Sequence, residues 1–188
     1  MCAYGYGTII TQPCLFLGMD QLAIAQYITR MGLLVAGPEA IEQGKQAWLN
    51  DAAWQGLRKY VEDSFVVQDW FELFVAQNLV LDGLLFPLIY GVYEHHMSEK
   101  LGTGLSLMVR FQNDWYAETV KFVDAQFKIA AAESAENAET LKAWVQHYAD
   151  SAAQALLPLA QLALGDAGAQ AVADGRAQLS ARLQKLGV

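Results

Sequence analysis

Two of the three histidines in this 188-residue chain stand side by side in "GVYEHHMSEK", at 91–100, next to a glutamate. Glu94, His95 and His96 are residue types that bind metals, and Glu99 adds a fourth donor nearby. Ligands that close on one ion from a single helix must share a face, three or four residues apart. Consecutive helical residues point ~100° apart, so Glu94, His95 and His96 do not readily converge. Three residues before His95, His96 and His147 stand Val92, Tyr93 and Trp144, and four before stand Gly91, Val92 and Ala143. None of these binds metal. His96 and Glu99 have a suitable spacing but lie beside the helix-breaking Gly102. The expectation is imidazoles near a helix C-terminus, where the helix dipole favours positive charge.

Other chemistries find less support. No nucleophile elbow, phosphate loop or zinc spacing accompanies the Ser, Cys and His residues. "GYGT" at 5–8 and "GTG" at 102–104 are too short for a cofactor fingerprint. Three acids remain. Asp82 and Asp124 sit inside apolar helical patterns, and Asp20 lies near the middle of the first. An unpaired buried carboxylate is costly. Each acid is therefore expected to be hydrogen-bonded, paired with Arg or Lys, or turned toward a partner. The rival is a carboxylate metal enzyme using Asp20, Asp82, Asp124 and a distant histidine. A third reading is an apolar-ligand protein with a pocket lined by Phe74, Leu84 and Phe122.

The elements that must position these residues read as helices. Long ones are expected at about 8–35, 70–98, 104–133 and 136–164, and shorter ones at 39–49, 52–63 and 167–186. Gly37-Pro38, Asn50-Asp51, Asp69 with Glu72 in a capping-box spacing, Gly102-Thr103-Gly104 and Gly165-Asp166 separate them. Pro13, Pro87 and Pro158 fall inside three of the long patterns, where each removes a backbone donor. In 104–133 the spacing of Leu105, Met108, Trp115, Phe122 and Ile129 predicts the inward stripe, widened by Val109, Tyr116, Val123 and Ala130. The stretch from Trp70 to Met97 is apolar almost all round and predicts neighbours on most sides. The alanine-rich final third, 136–188, reads as peripheral helices on a core of 1–135, all in one domain.

The chain is 54% hydrophobic and 17% charged, an apolar content that suggests surface buried against another subunit. Trp54, Leu57, Trp70, Phe71 and Trp115 are plausible contact or core residues. A net charge of −8 argues against a nucleic-acid partner. The run from Leu79 to Tyr93 is broken by Asp82 and Gly83 and reads as a core helix rather than a membrane span. Cys2 and Cys14 form no disulfide framework, the first basic residue is Arg30, and no secretory leader is visible, so the simpler expectation is a reducing cytoplasm.

The stretch "WQGLRKYVEDSFVVQDWFELFVAQNLVLDGLLFPLIYG" at 54–91 resembles the β subunit of the hydroxylase component of bacterial multicomponent monooxygenases. "CAYGYGTIITQPCLF" at 2–16, "AGPEAIEQGKQAWLNDAAWQGLR" at 36–58 and "VDAQFKIAAAES" at 123–134 extend the likeness, which is strongest to phenol hydroxylases and then toluene monooxygenases. The resemblance implies an all-α, ferritin-like (ribonucleotide-reductase-like) bundle. It implies an α2β2γ2 assembly whose α subunit carries a di-iron centre for aromatic hydroxylation. Electrons come from NADH through a flavin (FAD) and iron–sulfur reductase, and an effector protein regulates turnover. Under the resemblance Asp20 and Ala23 occupy one Glu-x-x-His position, and Asp124 and Phe127 the other. Asp82 lies near an isolated ligand position. With no histidine left, no catalytic, cofactor or metal residue is expected in this chain. Relatives extend further at the N-terminus, so the chain is expected to be a truncated form or fragment.

Overall fold

Punctuation in the sequence sets the helix boundaries in the computed structural model, which describes residues 1–187. α1 (Thr8–Ala36) stops at Gly37, and Pro38, which needs no helical donor at this position, opens α2 (Pro38–Asn50). The Asp51 carboxylate accepts from the Ala53 amide at 2.9 Å and starts α3 (Ala52–Ser64). Asp69 accepts from the amides of Phe71 (2.7 Å) and Glu72 (3.2 Å), starting α4 (Trp70–Lys100). The expected capping box is only half made. Glu72 accepts instead from the Tyr148 hydroxyl, 2.8 Å away. Gly102, at φ 87, turns the chain into α5 (Gly104–Glu133) with a backbone that side-chain-bearing residues seldom adopt. Ser134 caps α6 (Ala135–Leu164), and a 3₁₀ turn, Gly165–Ala167, leads to α7 (Gly168–Leu186). There is no strand among the described residues, and the helices match those expected to within a few residues.

α4 is not wound evenly. Val75–Leu81 and Pro87–Tyr93 are π-helical, with hydrogen bonds reaching five residues back. The Asp82 amide donates to the Gln77 carbonyl, and the Glu94 amide to those of Ile89 and Gly91. An α-helix would have sent the Glu94 amide to Tyr90. The Tyr90 carbonyl instead accepts from the Asn113 side-chain amide on α5 at 2.9 Å. The first π segment also receives a neighbour's donor: the Tyr60 hydroxyl of α3 reaches the Ala76 carbonyl at 2.8 Å.

The core gathers round the first half of α4. Phe74, Val75, Leu79 and Val80 are no more than 1% exposed and face α5 and α6, which bring Val123, Phe127, Leu141, Ala152 and Leu156. Small residues allow close approach. A Cβ at Gly56 on α3 would lie 3.1 Å from the Ala155 backbone, and one at Gly168 only 2.5 Å from the Ala160 carbonyl. Of the residues expected at contacts or in the core, Leu57 is buried, while Trp54, Trp70, Phe71 and Trp115 are half-buried. Phe74 and Leu84 are buried, and Phe74 meets Phe122 edge to face at 6.1 Å. Phe74 packs in the core, while Leu84 borders a small cleft of ≈ 100 Å³ with Leu88, Leu156 and Gly175. Two wider clefts, ≈ 390 and ≈ 410 Å³, lie elsewhere, beside Trp70 and Trp144 and beside Trp54 and Tyr93.

One stripe is only partly as expected: Val109 and Val123 are buried and the rest of it except Ile129 is half-buried. In α5 the buried residues are Val109, Gln112, Thr119, Val123 and Phe127, while Ile129 is 67% exposed. The helix carries apolar residues on more than one face, and the face toward α4 and α6 is the one covered. Among the helices, α1 and α4 are long and apolar enough to cross a bilayer by length and composition. The apolar stretch of α4 is 67% buried within the chain, as a core helix should be, and that of α1 17%.

Candidate functional site

The three acids singled out in the sequence end in three different environments. Asp20, half-buried on α1, accepts from the Trp115 indole nitrogen at 2.9 Å. Asp82, only 2% exposed, accepts from Gln77 Nε2 at 3.1 Å and from Asn78 Nδ2 at 3.4 Å. The Gln77 contact spans five residues, the spacing that a π turn brings into line. Burial pushes the Asp82 carboxyl up to about 7, although the two amides and the field of Arg182 pull the other way. Asp124 on α5 meets the Arg182 guanidinium of α7, with Nε at 2.7 Å and Nη2 at 2.6 Å from the same oxygen. Arg182 Nη1 also reaches the Tyr116 hydroxyl at 3.5 Å. Burial raises the Tyr116 phenol above its ordinary value. The carboxylates are thus hydrogen-bonded or ion-paired, as the cost of burying them bare requires.

Gly83 sits at this junction. A Cβ there would stand 3.2 Å from Leu179 Cδ1 and 3.6 Å from Arg182 Nη1. The side chains thus draw Asp82, Tyr116, Asp124 and Arg182 into one polar cluster joining α4, α5 and α7. Asp20 is held separately by Trp115.

The histidines lie apart from this cluster. His95 Nε2 is 3.5 Å from the Glu99 carboxylate, and His96 Nε2 is 2.8 Å from Lys100 Nζ. The candidate His96–Glu99 pair is thereby divided between two other contacts. His147 is exposed and sits edge-on to Tyr148 at 4.9 Å. Glu94 accepts from Ser106, across the turn on α5, and from Ser98 at 2.6 Å. These hydroxyls hold its carboxyl below the usual range, Ser106 most strongly. This cluster fastens the end of α4 to the start of α5.

The residues do not fit a di-iron centre. Such a centre needs several carboxylates and imidazoles with free lone pairs in one place. Here the Asp20 carboxylate is engaged by indole and that of Asp124 by guanidinium. Ala23 is exposed, and Phe127 is 0% exposed, its ring packed in the core. Among the described residues no three of His, Cys, Asp and Glu come together as a metal-binding group.

Arg182 is the side chain of this cluster that sequence reasoning passed over. Its signal was present, because it interrupts the inward stripe of Leu179, Leu183 and Leu186 on α7. Its partner stands 58 residues earlier, and no local pattern connects them.

A family model described as methane/phenol/alkene hydroxylase matches residues 1–134, and the chain belongs to that family. It is 46% identical to the phenol 2-monooxygenase oxygenase component DmpL of Pseudomonas sp. (strain CF600), over 95% of this chain and 54% of the relative. It is 38% identical to the phenol 2-monooxygenase oxygenase component MhpL of Acinetobacter pittii (strain PHEA-2), over 99% of this chain and 56% of the relative. A chain in the crystal structure of xenon-pressurized phenol hydroxylase from Pseudomonas sp. OX1 superposes with a TM-score of 0.89 at 37% identity, over 95% of this chain and 54% of that one. The likeness carries the expected ferritin-like helical fold. The chain spans about half the length of the relatives it matches.

Proposed function

We propose that this chain serves as the β-type, non-catalytic subunit of a phenol-hydroxylase-like monooxygenase, bracing a di-iron α subunit through helix–helix burial. The observation that carries the reading is the fate of the frame's acids within this family. Asp20 and Asp124 are occupied by Trp115 and Arg182, and Ala23 and Phe127 stand where imidazoles would be needed. The apolar, uncovered α1 supports it, with Ile9 83%, Leu22 72% and Leu34 86% exposed. Obligate subunit interfaces are large and apolar and suit such a face.

In this reading the assembly is α2β2γ2 and works in the cytoplasm. A reductase carrying FAD and an iron–sulfur cluster delivers electrons from NADH to the α iron, and an effector protein acts on the complex. Residues 1–188 form one domain, with 136–188 flanking the ferritin-like portion. The test is co-expression of this 188-residue chain with the α-like product of the neighbouring coding sequence. The two should co-purify, with iron tracking α and hydroxylation needing both. Stoichiometric iron in this chain alone, lost on Asp124→Ala, would overturn the proposal.

A further inference from the structure

The cleft of ≈ 390 Å³ beside Trp70 and Trp144 lies where the starts of α1, α4 and α6 meet the end of α5. Its floor is fixed by the core. Phe71 stacks on Phe74 at 5.4 Å, and Trp70 stands edge-on to Phe71 at 5.3 Å. Trp144, half-buried on α6, supplies a second indole. The charged residues of the lining are Asp69 and Glu133, and no lysine, arginine or histidine joins them. Asp69 accepts the two cap amides through Oδ1, which leaves Oδ2 open. Glu133 accepts from Asn137 Nδ2 through Oε2 at 3.3 Å, which leaves Oε1 open. The mouth adjoins the uncovered face of α1. Ile10 lines the cleft, Ile9 beside it is 83% exposed, and Ile129 on the α5 wall is 67% exposed.

We propose that this cleft receives a basic side chain, an arginine above all, from the α-type subunit; the inference rests on the functional reading above and names one anchor of that interface. Indole faces attract cations. A guanidinium lies flat on a ring while its N–H groups reach carboxylates at the edge. An apolar side chain would take water from Asp69 and Glu133 and return no hydrogen bond, and an acidic one would be repelled. A subunit that covers Ile9 and Ile129 lies over the mouth, so the cation comes with the partner.

The test compares this chain alone with its complex with the α-like product of the neighbouring coding sequence. Glu133 is exposed, so Glu133→Lys should leave the Tm of the chain alone within about 2 °C. Its affinity for the α-like protein should fall by about tenfold or more. Glu133→Gln should lose less, and its binding should depend less on salt between about 50 and 500 mM than that of the native chain. In the chain alone, butylguanidinium should shift the indole N–H resonances of Trp70 and Trp144, and neutral butylurea at the same concentration should not. Equal affinities for Glu133→Lys and the native chain would overturn the inference and leave the subunit reading standing. No binding by the native chain would remove that reading and this anchor with it. Equal shifts from butylguanidinium and butylurea, or none from either, would also overturn the inference. Should Glu133→Lys not fold, the affinity and salt dependence of Glu133→Gln decide in its place, and values matching the native chain would refute it.

Discussion

α1 and α4 are almost equal in length, 29 and 31 residues, and similar in apolar character, yet 17% of one apolar stretch is buried and 67% of the other. α4 has α5, α6 and α7 round it and takes a hydrogen bond from Tyr60 of α3, whereas α1 packs chiefly on α2. Composition fixes how much surface a helix must hide from water. The neighbours decide whether it is hidden inside the chain or left facing outward. The same substitution should therefore have different consequences in the two helices, and polar exceptions within the buried one should be felt most.

The largest effect belongs to the centre of α4. Phe74→Ala removes a ring that is 1% exposed and should cost about 3–5 kcal/mol of unfolding free energy in urea titration. A loss like that of an exposed residue would break the contrast.

Asp82 comes next, through pH. Burial raises its carboxyl from 3.8 to about 7, so the folded chain binds this proton more tightly than the unfolded chain does. That contribution is complete below the ordinary value and is lost as pH rises through about 7. Unfolding measured from pH 4 to 8 should show the native chain losing up to about 4 kcal/mol relative to Asp82→Asn across this window. Parallel curves for the two proteins would remove Asp82 as the source.

Tyr60→Phe tests the donor that α3 sends into the first π segment. Leaving the Ala76 carbonyl without it should cost about 1–1.5 kcal/mol, read as a shift in the denaturation midpoint with an unchanged slope. The smallest effect is expected at Leu22→Ala on α1. It should stay within about 0.5 kcal/mol for the chain alone but weaken co-purification with an α-like partner. A substantial stability loss in the isolated chain would show that α1 is covered from within.

Much of the fold was legible because its signals are local. Pro38, Asp51, Asp69 and Gly102 each mark a helix end by a preference acting over a few residues. The inward face of α5 was only partly legible: Val109 and Val123 fell on the expected stripe, the other buried residues did not. Gln112 and Thr119 lie on the buried side while Leu107, Phe111 and Ile129 face out, so polarity pointed the wrong way. The capping box failed because Tyr148, 76 residues away, offers Glu72 a hydroxyl. For the acids, the need for partners followed from the cost of burial alone. The identity of those partners did not, since Trp115 and Arg182 reach Asp20 and Asp124 across 95 and 58 residues. The π winding of α4 left no mark in the apolar pattern, because a helix buried on most sides shows no stripe to go out of phase.

That winding has a bearing on how the chain tolerates changes of length. A π segment accommodates a surplus residue as a local swelling, so the helix beyond it keeps its heading and its register with its neighbours. α4 holds two such swellings, and the second is secured by a single asparagine from across the bundle. They are the places where α4 could lose one residue and tighten to ordinary winding without swinging Asp82 or Glu94 away from their companions.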